Sequence, residues 1–215
     1  HRWCVWCGHC DYPIRGGCIM ADPAYIVDGV LTDGEAWVGI TTTTLGSDTA
    51  VVTFTSTDDG QVGDWSQYMD LVVVIYGQCA NAAYDNNSVR VRLNNVTSSS
   101  PGYAYQTFNG DGASATATSG SLGYMLWGDI PGVNSGTNNF GCVIAQLFDI
   151  NSGKYKSIIT QSASDRDGAG NVSINAFTAK KSEPLTEIDI EQIYAVDYTA
   201  GSTFSLFGIL PRMVA

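Results

Sequence analysis

Gly201-Ser-Thr-Phe-Ser-Leu-Phe-Gly-Ile209 carries no charge, and between its glycines nearly every residue is aromatic, aliphatic or hydroxyl-bearing. Such a run suits an extended strand inside a β-sandwich, with Phe204 and Leu206 as its buried positions. Upstream, Thr186–Tyr194 alternates Ile188 and Ile190 with Glu187, Asp189 and Glu191. Ser88–Leu93 does the same, setting Val89, Val91 and Leu93 against Arg90 and Arg92. Period-2 alternation of this kind marks half-exposed strands. Leu71–Tyr76 (LVVVIY) is continuously apolar, as a central strand covered on both faces would be.

Further strand signals lie at Trp37–Leu45, Ala50–Thr57, Leu122–Trp127 and Val172–Thr178. Phe140–Ile150 and Lys154–Ser162 flank Asn151-Ser-Gly153 and read as a hairpin. Asp58-Asp-Gly60 reads as a turn; Asn109–Ser121 and Pro131–Asn139 read as loops. Helical periodicity with capping signals is hard to find. The expectation is an all-β chain: a single antiparallel β-sandwich, jelly-roll-like, over residues 35–215. Its core should hold Leu71, Val73, Ile75, Val91, Leu93, Ile144, Phe148, Ile188, Ile190, Phe204 and Leu206.

Residues 1–34 read as an N-terminal arm, cysteine-rich over residues 1–19. Cys4, Cys7, Cys10 and Cys18, with His1 and His9 nearby, supply the soft ligands of a tetrahedral zinc site or an iron–sulfur centre. Three of the cysteines crowd closer than structural zinc sites usually allow, so reduced or disulfide-linked thiols are the alternative. Apart from this candidate zinc, no cofactor is expected. Met20-Ala-Asp-Pro reads like an ordinary protein start, which leaves residues 1–19 as either an appendage or a segment outside the functional chain. An arm this short buries no core of its own, yet it holds Trp3, Trp6, Tyr12 and Ile14; these are the candidate anchoring residues, in search of a partner surface. Cys79 and Cys142 sit in strand-like stretches and are expected to be buried free thiols.

Of 215 residues, 14% are charged, against roughly 25% in ordinary soluble proteins. The net charge is −11, with ten Lys and Arg and no basic run, which argues against a nucleic-acid partner. No stretch of about 18 apolar residues marks a membrane span. Both histidines fall in the arm, so a Ser-His-Asp triad within the sandwich is excluded. Asp58, Asp59 and Asp64 are the candidate carboxylates for glycoside chemistry, in turn-like settings. Asp165-Arg-Asp-Gly-Ala-Gly-Asn171 partly matches a calcium loop but lacks the later Glu, so a polar turn is the plainer reading. Trp65, Tyr84, Tyr103, Tyr105, Tyr124 and Trp127 are readable as a sugar-stacking platform or, more plainly, as core and interface.

Several segments in order carry a resemblance: Asp70–Tyr76 (DLVVVIY), Val89–Asn94 (VRVRLN), Tyr103–Phe108 (YAYQTF), Phe148–Ile158 (FDINSGKYKSI), Ile188–Ile190 and Gly201–Ile209. Together, over roughly residues 65–210, the series resembles a family of structural proteins of tailed-bacteriophage virions. The resemblance implies a β-sandwich without enzymatic residues, often trimeric, on the outer surface of the virion. A capsid decoration or cement protein binding the major capsid protein is the leading expectation. A tail-fibre domain recognising host surface glycans is the alternative. If the arm is the anchor, deleting residues 1–19 should sharply lower incorporation into purified particles; unchanged incorporation would move the anchor onto the sandwich.

Overall fold

Period-2 alternation needs a partner layer to bury its apolar half, and two antiparallel sheets supply it. The computed structural model describes residues 26–27, 30–31, 37–83, 85–96, 102–136, 138–165 and 168–210. The chain divides into units of residues 1–35 and 36–215. In the first, Ile26–Val27 (β1) pairs antiparallel with Val30–Leu31 (β2).

The second unit contains Trp37–Thr44 (β3), Val51–Thr55 (β4), Asp70–Gly77 (β5), Asn86–Leu93 (β6), Tyr103–Gly110 (β7) and Ala115–Leu122 (β8). Met125–Pro131 (β9), Gly141–Phe148 (β10), Lys156–Ser164 (β11), Asn171–Ala179 (β12), Glu187–Gln192 (β13) and Thr203–Ile209 (β14) follow. An eight-stranded sheet runs β3-β14-β5-β10-β11-β12-β7-β8 and a four-stranded sheet runs β4-β13-β6-β9. The chain is thus all-β, in a sandwich-like arrangement of antiparallel sheets. The motif that opened the sequence reading becomes β14, an inner strand paired with both β3 and β5.

The core lies between the sheets. Leu71, Val73 and Ile75 of β5, Phe204 and Leu206 of β14, and Val143, Ala145 and Leu147 of β10 come from the larger sheet. Val52 and Phe54, Ile188 and Ile190, Val89, Val91 and Leu93, and Met125, Trp127 and Ile130 come from the smaller one. Tyr198 meets Phe204 edge-on, ring centroids 4.9 Å apart. Gly208 is a requirement of packing: the Tyr68 ring lies against it, and a Cβ would sit 2.4 Å from a ring carbon.

Three sequence expectations are corrected here. Ile144 is exposed and Phe148 only half-buried, because β10 turns Val143, Ala145 and Leu147 inward. Phase in a strand is all-or-none: one step moves every side chain to the other face. The same phase exposes Cys142, whereas Cys79 is buried as expected, and both thiols are free. The expected loop Asn109–Ser121 is instead the end of β7, a turn and most of β8. Residues 115–122 lack apolar alternation because β8 is an edge strand that, among the described residues, no second layer covers; its ladder with β7 defines it.

Where β9 crosses the larger sheet, the contact is polar. Thr160 Oγ1 donates to the Trp127 carbonyl at 2.8 Å, and Asn175 Nδ2 donates to the same oxygen at 3.2 Å and to Thr160 Oγ1 at 2.9 Å. The Ser162 and Ser173 hydroxyls lie 2.7 Å apart. These four side chains are buried, and their hydrogen bonds offset the cost of desolvation. The approach is so close that a Cβ on Gly128 (φ +136°) would lie 2.1 Å from Ser162 Oγ. Gly128→Ala should therefore destabilise the fold by about 2–4 kcal/mol in urea unfolding. Adding Ser162→Gly should recover part of that loss, the non-additivity expected of touching sites.

Candidate functional site

The side of the eight-stranded sheet turned away from the core is built from the off-phase residues of its strands. One row across the sheet reads Thr42, Ser205, Val74, Ile144, Gln161, Ile174, Phe108, Ala117. The row on one side reads Gly39, Phe207, Val72, Gln146, Ile159, Ala176, Gln106, Ser119. On the other side it reads Thr44, Thr203, Tyr76, Cys142, Ala163, Val172, Gly110, Ala115. None of these residues carries a charge. Tyr76, Phe108, Ile144, Ile159, Val172 and Ile174 are each about half exposed. Tyr76 stacks on Phe140 with ring centroids 5.3 Å apart. A shallow depression along this face includes Ile159, Ala176, Gln106 and Ser119.

The outer face of the smaller sheet is its electrostatic opposite. Arg90 and Arg92 both pair with Glu191, the Arg90 contact at 2.7 Å. The Arg90 guanidinium also lies 5.8 Å from the Tyr124 ring centre. Thr53 Oγ1 donates to Asp189 at 2.7 Å. Outward charges cluster on β6 and β13, whereas the larger sheet shows neutral and apolar groups.

The sequence-predicted site residues separate. Trp65, Trp127 and Tyr103 are fully buried, so the core reading holds for them. Leu93 N–H donates to the Tyr103 hydroxyl at 2.9 Å, a tie between sheets. Tyr105 and Tyr124 are half-buried, and Tyr105 tilts against Phe177 at 6.4 Å. Cys4, Cys7, Cys10, Cys18, Trp3, Trp6, Tyr12, Ile14 and Tyr84 lie outside the described residues.

Two of the candidate carboxylates, Asp59 and Asp64, serve turns. Asp64 accepts from the N–H groups of Ser66 at 2.9 Å and Gly60 at 3.1 Å, capping a 3-10 turn over Trp65–Gln67. Asp59 accepts from the Thr57 hydroxyl at 2.7 Å and Gln61 N–H at 3.0 Å. Donors from Ser66 hold Asp64, and chiefly the Thr57 hydroxyl holds Asp59, below the ordinary carboxylate range. In the calcium-like segment, Asp165 accepts from Gly168 N–H at 3.0 Å, as a turn does.

Leu71–Tyr76, in β5, reads as apolar on both faces, but the neutral face as a whole was not legible because β10 and β14 read with a single buried parity. The available signal was apolar residues on both parities: Val143, Leu147 beside Ile144 in β10, and Phe177 beside Val172, Ile174 in β12. On the charged face, Glu191→Gln should cost about 1–3 kcal/mol in urea unfolding, since two arginines lose a mostly buried partner. Compared with known proteins, the chain matches no family model, no curated protein and no solved structure.

Proposed function

We propose that this chain is a non-catalytic structural component of a tailed-phage virion. In this reading it is an outer-surface capsid decoration protein whose jelly-roll-like sandwich assembles as a trimer. The observation that carries the proposal is the charge-free apolar face of the eight-stranded sheet. Seven strand spacings of about 4.8 Å by about 20 Å of strand give an area of roughly 700 Å². That approaches the roughly 800 Å² each partner contributes to a standard stable interface.

A second copy of this chain is the occupant that fits. Each copy carries −11, so two copies repel unless they meet where no charge stands. The three neutral rows offer such a surface. Charges on the opposite sheet then lie beyond a Debye length of about 8–10 Å and are largely screened. Closed symmetry hides the face in every copy, and the order of the phage-like motifs favours three. The acidic surface suits a position away from the packaged genome. Attachment to the major capsid protein is assigned to residues 1–34. The turn-bound Asp59 and Asp64 support a role without catalysis.

Sedimentation of the full chain should give a trimer. Ile144→Arg together with Ile174→Arg plants cations in the central row and should give a monomer with an unchanged strand spectrum. Peptide-mapped alkylation adds a local readout. Cys142 should react slowly in the assembled protein and at least tenfold faster in the double variant. Cys79 should stay protected in both, because it is buried and burial raises its thiol pKa. A wild-type monomer at high concentration, together with absence from purified particles, would overturn the proposal.

A further inference from the structure

At one end of the larger sheet the smaller sheet reaches β7 only at Tyr103 and, among the described residues, β8 lies beyond it, so there the sandwich stays open. β8 passes into β9 through Gly123 and Tyr124, yet the two strands belong to different sheets and form no ladder. Between them lies a cleft of about 210 Å³, lined by residues of β6, β7, β8, β9 and β12. A second lobe of about 200 Å³ adjoins it, sharing Asn109 and Asp129 and running towards the β7–β8 turn.

We propose that this cleft binds a neutral carbohydrate, two consecutive sugar units long, one in each lobe. The proposal rests on the cleft alone and not on the assembly reading. Three features set the ligand class. The first is a set of polar side chains without internal employment: among the described residues, Thr107, Asn109 and Thr118 make no side-chain hydrogen bond, and Asn171 Oδ1 in the second lobe is buried with no donor. A buried acceptor left unpaired is costly, and a ligand hydroxyl would relieve it.

The second feature is an aromatic wall. Tyr105 and Phe177 give the first lobe an apolar surface beside its hydroxyls and amides, the mixed character that a sugar ring with C–H faces and O–H edges requires. Gly120 sets the tyrosine's position: a Cβ there would meet the Tyr105 hydroxyl at 2.9 Å. The third feature is a fixed carboxylate. Asp129 accepts from Asn86 Nδ2 at 3.0 Å and from the Ser88 hydroxyl, which orients it and leaves further lone pairs for ligand hydroxyls.

The charge of the cleft excludes acidic glycans. Asp111 stands at the far lobe, where the N–H groups of Ser114 and Ala113 and the Ser114 hydroxyl hold its carboxyl below the ordinary range and keep it ionised at neutral pH. Among the described residues, no lysine or arginine lines either lobe. The floor is rigid, since Asn175 and Ser173 belong to the buried network beneath Trp127. A pre-organised floor lowers the ordering cost of binding.

The test is an array of neutral and sialylated oligosaccharides probed with the full chain, followed by titration calorimetry on the best neutral ligand. Neutral glycans should bind. Thr118→Arg, which fills the cleft from an exposed strand position, should weaken binding at least tenfold with unchanged thermal unfolding. Tyr105→Ala should weaken binding at least tenfold while the chain stays folded, and Gly120→Ala should give a smaller loss by displacing the ring. The Ile144→Arg/Ile174→Arg variant should bind normally, so a failure of the assembly reading leaves this result distinct. Binding of sialylated glycans only, no glycan binding, binding indifferent to Thr118→Arg and Tyr105→Ala, or capture of an extended peptide on the β8 edge instead, would each overturn the proposal.

Discussion

A four-stranded sheet cannot cover an eight-stranded one, and most of this protein's surface chemistry follows from that mismatch. Every strand presents two faces, and burial of one demands a second layer. Here the second layer is half as wide. The strands it reaches bury an apolar core. Among the described residues, β8 lies beyond it and remains open on the side that would otherwise be interior, while β7 is covered at Tyr103 and only half-covered farther along. The cleft beside β9 is the gap left where the smaller sheet stops.

The two sheets meet their surroundings differently. On the smaller sheet, alternation is clean: Ile188 and Ile190 point in, and Glu187, Asp189 and Glu191 point out, Glu191 onto Arg90 and Arg92 of β6. Such a face is at ease in water. The larger sheet places Ile, Val, Phe and Tyr on its outward rows with no charge among them. A strand with apolar residues on both parities is the pattern of a sheet covered twice, and one cover is supplied by this chain. Its assembly role is inferred from the other.

The polar seam beneath Trp127 and Gly128 links core and cleft. Small hydroxyl and amide side chains let β9 approach the larger sheet closely, and their bonds to the Trp127 carbonyl fix the edge strand in place. An apolar seam of larger residues would hold the sheets farther apart and leave that carbonyl without these donors. The same network stiffens the cleft floor, so stability and the proposed recognition draw on the same hydrogen bonds.

The sequence by itself determined the fold class and most of the strands. Alternation in Ser88–Leu93 and Thr186–Tyr194, and the charge-free Gly201–Ile209 run, are local signals with one consistent reading, and the buried residues of β6, β13 and β14 follow from them. Composition also excluded a triad in the sandwich. Only tertiary structure decided the phase of β10, where Val143, Ala145 and Leu147 compete with Ile144 and Phe148 and the neighbouring sheet selects between them. Only tertiary structure made a strand of Ala115–Leu122, because an edge strand outside the core needs no apolar face and is held by its ladder to β7. The cleft was illegible for the same reason. Asn109, Asp129 and Asn171 are distant in sequence, and nothing in the residues themselves reports the place where one sheet ends before the other.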